Sequence, residues 1–225
     1  MQKLLELSIP LTLLALLTIA RPASAQEVTR MPDDARHSLG LEAGLESAFF
    51  ARATYNHRLD LGALEDPRLF ARFTMPVVAP DFGDWGIDLG MRATPLSYRN
   101  LRAAVLVGPL LRHAENDLFA ATAIGVEGTL LLGYEGRRWG LSAELGYQQM
   151  LTTYLRHSDL YRHVSYAEAK DGWYAITGST AHAGLRGGVR FGSVEIAARA
   201  GLDATGEFHQ TMPPFYVSLG GAYAF

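Results

Sequence analysis

A two-residue alternation that runs to the last residue is the feature that most limits what this chain can fold into. The segment FYVSLGGAYAF sets Phe215, Val217, Leu219, Gly221, Tyr223 and Phe225 against Tyr216, Ser218, Gly220, Ala222 and Ala224. Successive strand side chains point to opposite faces, so one face is large and apolar and the other mostly small. The same period recurs upstream. Leu39, Leu41, Ala43 and Leu45 alternate with Gly40, Glu42, Gly44 and Glu46, and Ile87, Leu89, Met91 and Ala93 with Asp88, Gly90, Arg92 and Thr94. Trp139, Leu141, Ala143, Leu145 and Tyr147 face away from Gly140, Ser142, Glu144, Gly146 and Gln148. Val194, Ile196, Ala198, Ala200 and Leu202 oppose Glu195, Ala197, Arg199, Gly201 and Asp203. Chain ends usually fray, so an apolar alternation reaching Phe225 predicts a last strand that is paired on both sides.

Turn signals such as Asp66-Pro67, Thr94-Pro95, Glu115-Asn116-Asp117 and Gly192-Ser193 punctuate these runs. They predict strands at 39–46, 50–58, 68–77, 85–93, 101–112, 120–134, 139–150, 173–187, 189–203 and 215–225. The fold class is therefore all-β, an antiparallel up-and-down barrel of about ten strands, with eight as the alternative. One long connection is expected, Leu151 to Gly172.

Which face meets water follows from the charges. The only lysines are Lys3 and Lys170, whereas a solvated surface ordinarily carries many. Arginine is favoured where cations are packed against carboxylates. On the polar parity, Glu42, Glu46, Asp88, Glu127, Glu144, Glu195 and Asp203 face Arg52, Arg72, Arg92, Arg102, Arg186 and Arg199. This balance predicts an interior of ion pairs, with Glu42, Asp88, Arg92, Glu127, Glu144, Arg186, Glu195 and Arg199 as its principal members. The apolar face, with Phe73, Tyr134, Trp139, Tyr147 and Tyr223, would then meet lipid through an aromatic girdle.

The N-terminus agrees with export. MQKLLELSIPLTLLALLTIARPASA has a basic start, an apolar run from Ile9 to Ala20 and the small-residue site Ala23-Ser24-Ala25, the layout of a secretory signal peptide. The expected organisation is a signal peptide at 1–25, a short segment at 26–37 and a barrel at 38–225. The chain has no cysteine, which excludes thiolate metal sites and disulfide staples. A net charge of -3 does not point to nucleic acid. An exported, cysteine-free chain ending in an alternating strand with Tyr223 and Phe225 resembles a Gram-negative outer-membrane β-barrel. It is similar in size to the small barrels of the outer membrane protein A, X and W types. The resemblance implies residence in the outer membrane, lipid as surroundings, and the barrel assembly machinery as a partner that reads Tyr223 and Phe225.

Catalytic signatures are absent: the sequence holds no G-x-S-x-G, H-E-x-x-H, Walker or dinucleotide motif. No catalytic residue, cofactor or metal site is therefore expected. The stretch YLRHSDLYRHVSY gathers Tyr154, His157, Ser158, Tyr161, His163 and Tyr166 in the longest connection, where barrels place recognition. His182 shares the inward parity of Arg186, and Trp173 and Tyr174 suit an interfacial position. The first functional expectation is a non-enzymatic barrel with a filled lumen, acting as a scaffold or through its loops, its ligand unknown. A narrow pore is the alternative, kept open by inward glycines such as Gly40, Gly44, Gly90, Gly125, Gly133, Gly146, Gly184, Gly201 and Gly220. A lipid-modifying enzyme using His157 with Ser158, or His182, comes third.

Overall fold

The computed structural model describes residues 31–46, 48–62, 64–77, 83–206 and 209–225, with the backbone alone at 209–213. The signal peptide expected at 1–25, and residues 26–30, lie outside the described residues. Ten antiparallel strands form one closed barrel. They are β1 (His37–Leu45), β2 (Phe49–Arg58), β3 (Glu65–Pro76), β4 (Trp85–Tyr98), β5 (Leu101–Glu115), β6 (Phe119–Glu135), β7 (Trp139–His157), β8 (Gly172–Phe191), β9 (Val194–Thr205) and β10 (His209–Ala224). Each strand pairs with its sequence neighbours, and β10 closes on β1 in the register Leu39↔Tyr223 to Leu45↔Val217. The eight-strand alternative is thus corrected to ten, since β1 and β2 are separate strands joined as a hairpin at Leu45↔Phe49.

Several boundaries differ from the sequence reading, and for three of them the difference has a local cause. β7 runs on to His157, so Tyr154 belongs to a strand rather than to the long connection. A register shift between Met150 and Thr152 flips the parity there and hides the period, as an inserted bulge residue does. The connection shrinks to residues 158–171 and carries one short helix, α1 (Asp159–Val164), capped by Ser158. β4 continues past Pro95 to Tyr98 because a second shift between Ala93 and Leu96 lifts the proline out of the ladder. β8 turns at Gly192, whose φ of 61° suits a residue without Cβ, rather than near position 188.

Burial is inverted relative to a water-soluble protein. The largest fully buried side chains include Arg68, Arg72, Arg186, Tyr216, Glu144 and Glu195, while Leu41, Leu202 and Leu219 are 71%, 65% and 62% exposed. Closure leaves no unpaired strand edge among these ten, the condition a sheet must meet in hydrocarbon. Aromatic residues gather on the exterior at the end that holds Met31 and Phe225: Tyr134 stacks on Trp139 with centroids 4.3 Å apart, and Tyr223 on Phe225 at 6.0 Å.

The lumen is filled unevenly. On the β3 to β7 side, Phe70, Ala104, Leu106 and Leu131 form one buried apolar cluster, and Leu110, Ala114, Ala121, Ala123, Met150 and Leu155 form another nearer the loops. On the β8 to β10 side the inward positions are polar or small.

Candidate functional site

The lumen is the most elaborated part of the molecule, and its charges are arranged in connected groups. Strand parity aims every second residue inward, and the register then sets which charges meet. On one side Arg72 of β3 contacts Glu127 of β6 and lies 3.5 Å from Asp88 of β4. Arg112 of β5 contacts the same Asp88. Gln148 of β7 donates to the other oxygen of Glu127 at 3.3 Å. Across the barrel Arg52 of β2 reaches Glu42 at 3.2 Å, Glu46 at 3.3 Å and the Thr74 hydroxyl at 2.9 Å. Arg199 of β9 holds Glu46 at 3.5 Å and Glu144 of β7 at 2.5 Å, and Arg186 of β8 shares Glu144 at 2.9 Å. Toward the terminal end, Arg92 pairs with Glu135 at 2.9 Å and Arg190 with Glu195 at 2.6 Å.

All eight principal lumen residues are buried, and each stands in one of these pairs. Sequence reasoning missed Arg68, Arg112, Arg190 and Glu135. Glu135 fell just beyond a strand end drawn too short, and Arg190 was drawn into the run 189–203 on the outward parity of Val194 and Ile196 although it belongs to β8, whereas Arg112 lay on the inward parity of its own strand. Tyr216 was also missed, as one of a mostly small face. Its ring lies under the Arg199 guanidinium at 4.1 Å, and its hydroxyl donates to Glu144 at 2.5 Å. A lone bulky residue on a face of Ser, Gly and Ala was the signal to read. Buried ion pairs offer modest net stability, but removing one partner leaves an uncompensated charge.

Four of the inward glycines are seats for rings, while Gly44, Gly125, Gly133 and Gly220 lie first against neighbouring backbone. A Cβ on Gly184 or Gly201 would strike Tyr216, one on Gly146 would strike the His182 ring, and one on Gly90 would strike Phe70. Gly40 is different, with nothing nearer than 3.6 Å. It borders a small cavity of about 40 Å³ that Glu42, Arg199, Ser218 and Gly220 also line. A larger vestibule of about 940 Å³ opens at the terminal end between Met31, Arg102, Glu135, Arg138 and Arg190. The segment beneath it is clamped by Arg58, which donates to the carbonyls of Met31 at 2.7 Å and Pro32 at 2.9 Å. Tyr223 pairs with Leu39 and Val194. The Phe225 carbonyl accepts from the N–H groups of Arg36 and His37.

At the opposite rim, Asp171 ties the β7–β8 connection together. It accepts from the His157 backbone N–H at 2.8 Å, faces the His157 ring at 3.1 Å and accepts from Arg162 at 2.6 Å. The His157 N–H, then its ring and Arg162, hold the Asp171 carboxyl down to about 2 against the cost of desolvation. The Ser158 hydroxyl accepts from the Tyr161 N–H as the cap of α1, and His157 turns to Asp171 rather than to that hydroxyl. Tyr161 is buried with its ring 4.9 Å from His157. His163 and Tyr166 are exposed. Tyr154 lies 5.4 Å from Trp173, its partner across the same hairpin.

No protein-family model matches the sequence, and no curated protein does. Among solved structures the chain is similar to a KdgM porin, with 9% identity, 84% of this chain and 99% of that one covered, and a TM-score of 0.40. It is also similar to the outer membrane protease OmpT from Escherichia coli, with 10% identity, 90% and 99% covered, and a TM-score of 0.44. The outer membrane protein Omp33 from Acinetobacter baumannii gives 10% identity, 85% and 98% covered, and a TM-score of 0.37. These structural neighbours are outer-membrane β-barrels.

Proposed function

We propose that this protein is a non-enzymatic barrel of the outer membrane, closed to solutes at rest, that acts as a scaffold presenting its loop-end rim. The observation that carries this reading is the continuous set of side chains across the waist of the lumen. From Glu42 through Arg52, Glu46, Arg199 and Glu144 to Arg186, each charge contacts the next. Arg72, Asp88, Arg112 and Glu127 fill the facing side. Open aqueous channels belong to barrels of about 16 strands, whereas small barrels are filled by their own side chains. The apolar exterior fits lipid surroundings, and the C-terminal strand, with Tyr223 and Phe225, fits recognition by the assembly machinery. The β7–β8 hairpin rises furthest at the loop end and displays Tyr154, Trp173 and Tyr166 on a connection tied by Asp171, which suits binding of a partner at the surface. The test is single-channel recording of the refolded protein in planar bilayers, with a heat-dependent gel shift as proof of folding. Flat traces from shifted protein are expected; discrete steps would overturn the closed-lumen reading.

A further inference from the structure

Among side chains with a fully buried polar atom, Thr180, His182, Asp203 and Ser218 make no hydrogen bond or ion pair to the described residues, whereas the unbonded atoms of the facing wall, such as Arg72 Nη1 and Gln148 Oε1, belong to side chains that are bonded elsewhere. All four lie on β8, β9 and β10 and face the lumen. Buried polar groups of this kind are ordinarily satisfied by water. Ser218 borders the cavity of about 40 Å³ together with Glu42 and Arg199, whose Oε1 and Nη2 atoms are also unbonded. About 10–15 Å³ suffices for one water, so this space is large enough to be wet. His182 sits opposite Asp203, with Thr180 two residues toward the loops. Polar groups requiring water therefore occur both above and below one level of the barrel.

That level is set by Tyr216. From β10 its ring crosses Gly201 of β9 and Gly184 of β8, filling the space a Cβ would take at either, and its hydroxyl ends on Glu144 of β7. One side chain thus bridges four strands between the Ser218 cavity and the His182 group. The β3 to β6 side has a superficially similar ring, Phe70 seated over Gly90, but its buried neighbours are Ala104, Leu106 and Leu131.

We propose that the lumen contains a latent route for water and small ions along the β8 to β10 wall, closed at one level by Tyr216 laid across Gly184 and Gly201. This rests on the closed-lumen reading for the resting protein. Shortening Tyr216 empties a slot with polar groups on both sides. Shortening Phe70 empties a slot bordered by Ala104, Leu106 and Leu131, where the one charged neighbour on its ring, Arg72 at 4.6 Å, is already held by Glu127 and Asp88, a lining that favours water less.

The experiment is single-channel recording in potassium chloride of three refolded, heat-shifting proteins: wild type, Tyr216→Ala and Phe70→Ala. Flat traces from the wild type and Phe70→Ala, with resolved steps from Tyr216→Ala, are expected. Silence from folded Tyr216→Ala overturns the gate and leaves the closed lumen standing. Equal steps from Phe70→Ala overturn the distinction between the walls. Steps from the wild type overturn the closed lumen itself, and the gate with it. Should Tyr216→Ala fail to refold, Tyr216→Leu keeps apolar bulk but lacks the reach to Glu144; it is expected to give smaller steps, and silence from it would overturn the gate equally.

Discussion

The wall made by β8, β9 and β10 and the wall made by β3 to β6 both turn arginines and carboxylates inward, yet they fill the lumen differently. On the β3 to β6 side the charges occupy the waist, where Arg72, Asp88, Arg112 and Glu127 meet, and apolar clusters seal them above and below. On the β8 to β10 side, Glu144 gathers Arg186, Arg199 and Tyr216, and Thr180, His182, Asp203 and Ser218 around that knot are polar and without a partner among the described residues. One wall is closed by packing, the other by a single knot of charge and one tyrosine. Closure by packing is spread over many contacts, whereas closure by a knot can be undone at one residue.

The largest effect is expected from cutting that knot. Glu144→Ala leaves Arg186 and Arg199 buried without their shared carboxylate, and the expected cost is about 3–5 kcal/mol, read as earlier unfolding in urea and loss of the heat-shifted form. On the packed wall, Leu106→Ala removes a fully buried side chain and is expected to cost about 2–5 kcal/mol, toward the lower end where the site can collapse, without opening the lumen. A Leu106→Ala loss larger than that of Glu144→Ala would reverse the ranking of the two walls. Next in size is Gly90→Ala, whose new methyl meets the Phe70 ring and the Val107 carbonyl, for about 1–3 kcal/mol. Gly40→Ala, with 3.6 Å of room beside the cavity, is expected to leave the urea midpoint unchanged; equal losses from the two would contradict the assignment of filled and empty seats.

The smallest effect concerns the rim and leaves both walls intact. Asp171→Asn weakens the clasp on His157 and Arg162, and the expected outcome is faster proteolytic nicking between residues 158 and 171 with an unchanged barrel. Because the Asp171 carboxyl is held down to about 2, its contribution is complete above its ordinary value near 4 and is lost as pH falls from there through about 2. Protection of the connection should therefore be flat between pH 7 and 5 and decline only below. A decline that begins near pH 6 would point to a histidine instead.

The barrel itself was legible because period two is a backbone property: Leu39, Leu41 and Leu45 against Glu42 needed only alternation to be assigned faces. The ion pairs were legible as a set, since inward parity and charge balance appear in one dimension. Which arginine meets which carboxylate was not, because it depends on register across the barrel, as in the contact of Arg199 with Glu46, or of Arg72 with Glu127. Bulges at Met150 and Ala93 broke the parity and moved Tyr154 from loop to strand. The seats made by Gly184 and Gly201 for Tyr216 were beyond reach for the same reason: three residues on three strands become one object only after pairing.

Hydroxyl-radical footprinting of the folded native protein, read by mass spectrometry, tests the difference between the walls most directly, because radicals formed from buried water modify the side chains beside it. Tyr216 and His182 are expected to be modified despite their burial, while Phe70, Leu106 and the intrinsically reactive Met150 are spared. Modification of Met150 and Phe70 to the same extent as Tyr216 and His182 would contradict the account, since it would put as much water beside the apolar clusters as beside Tyr216.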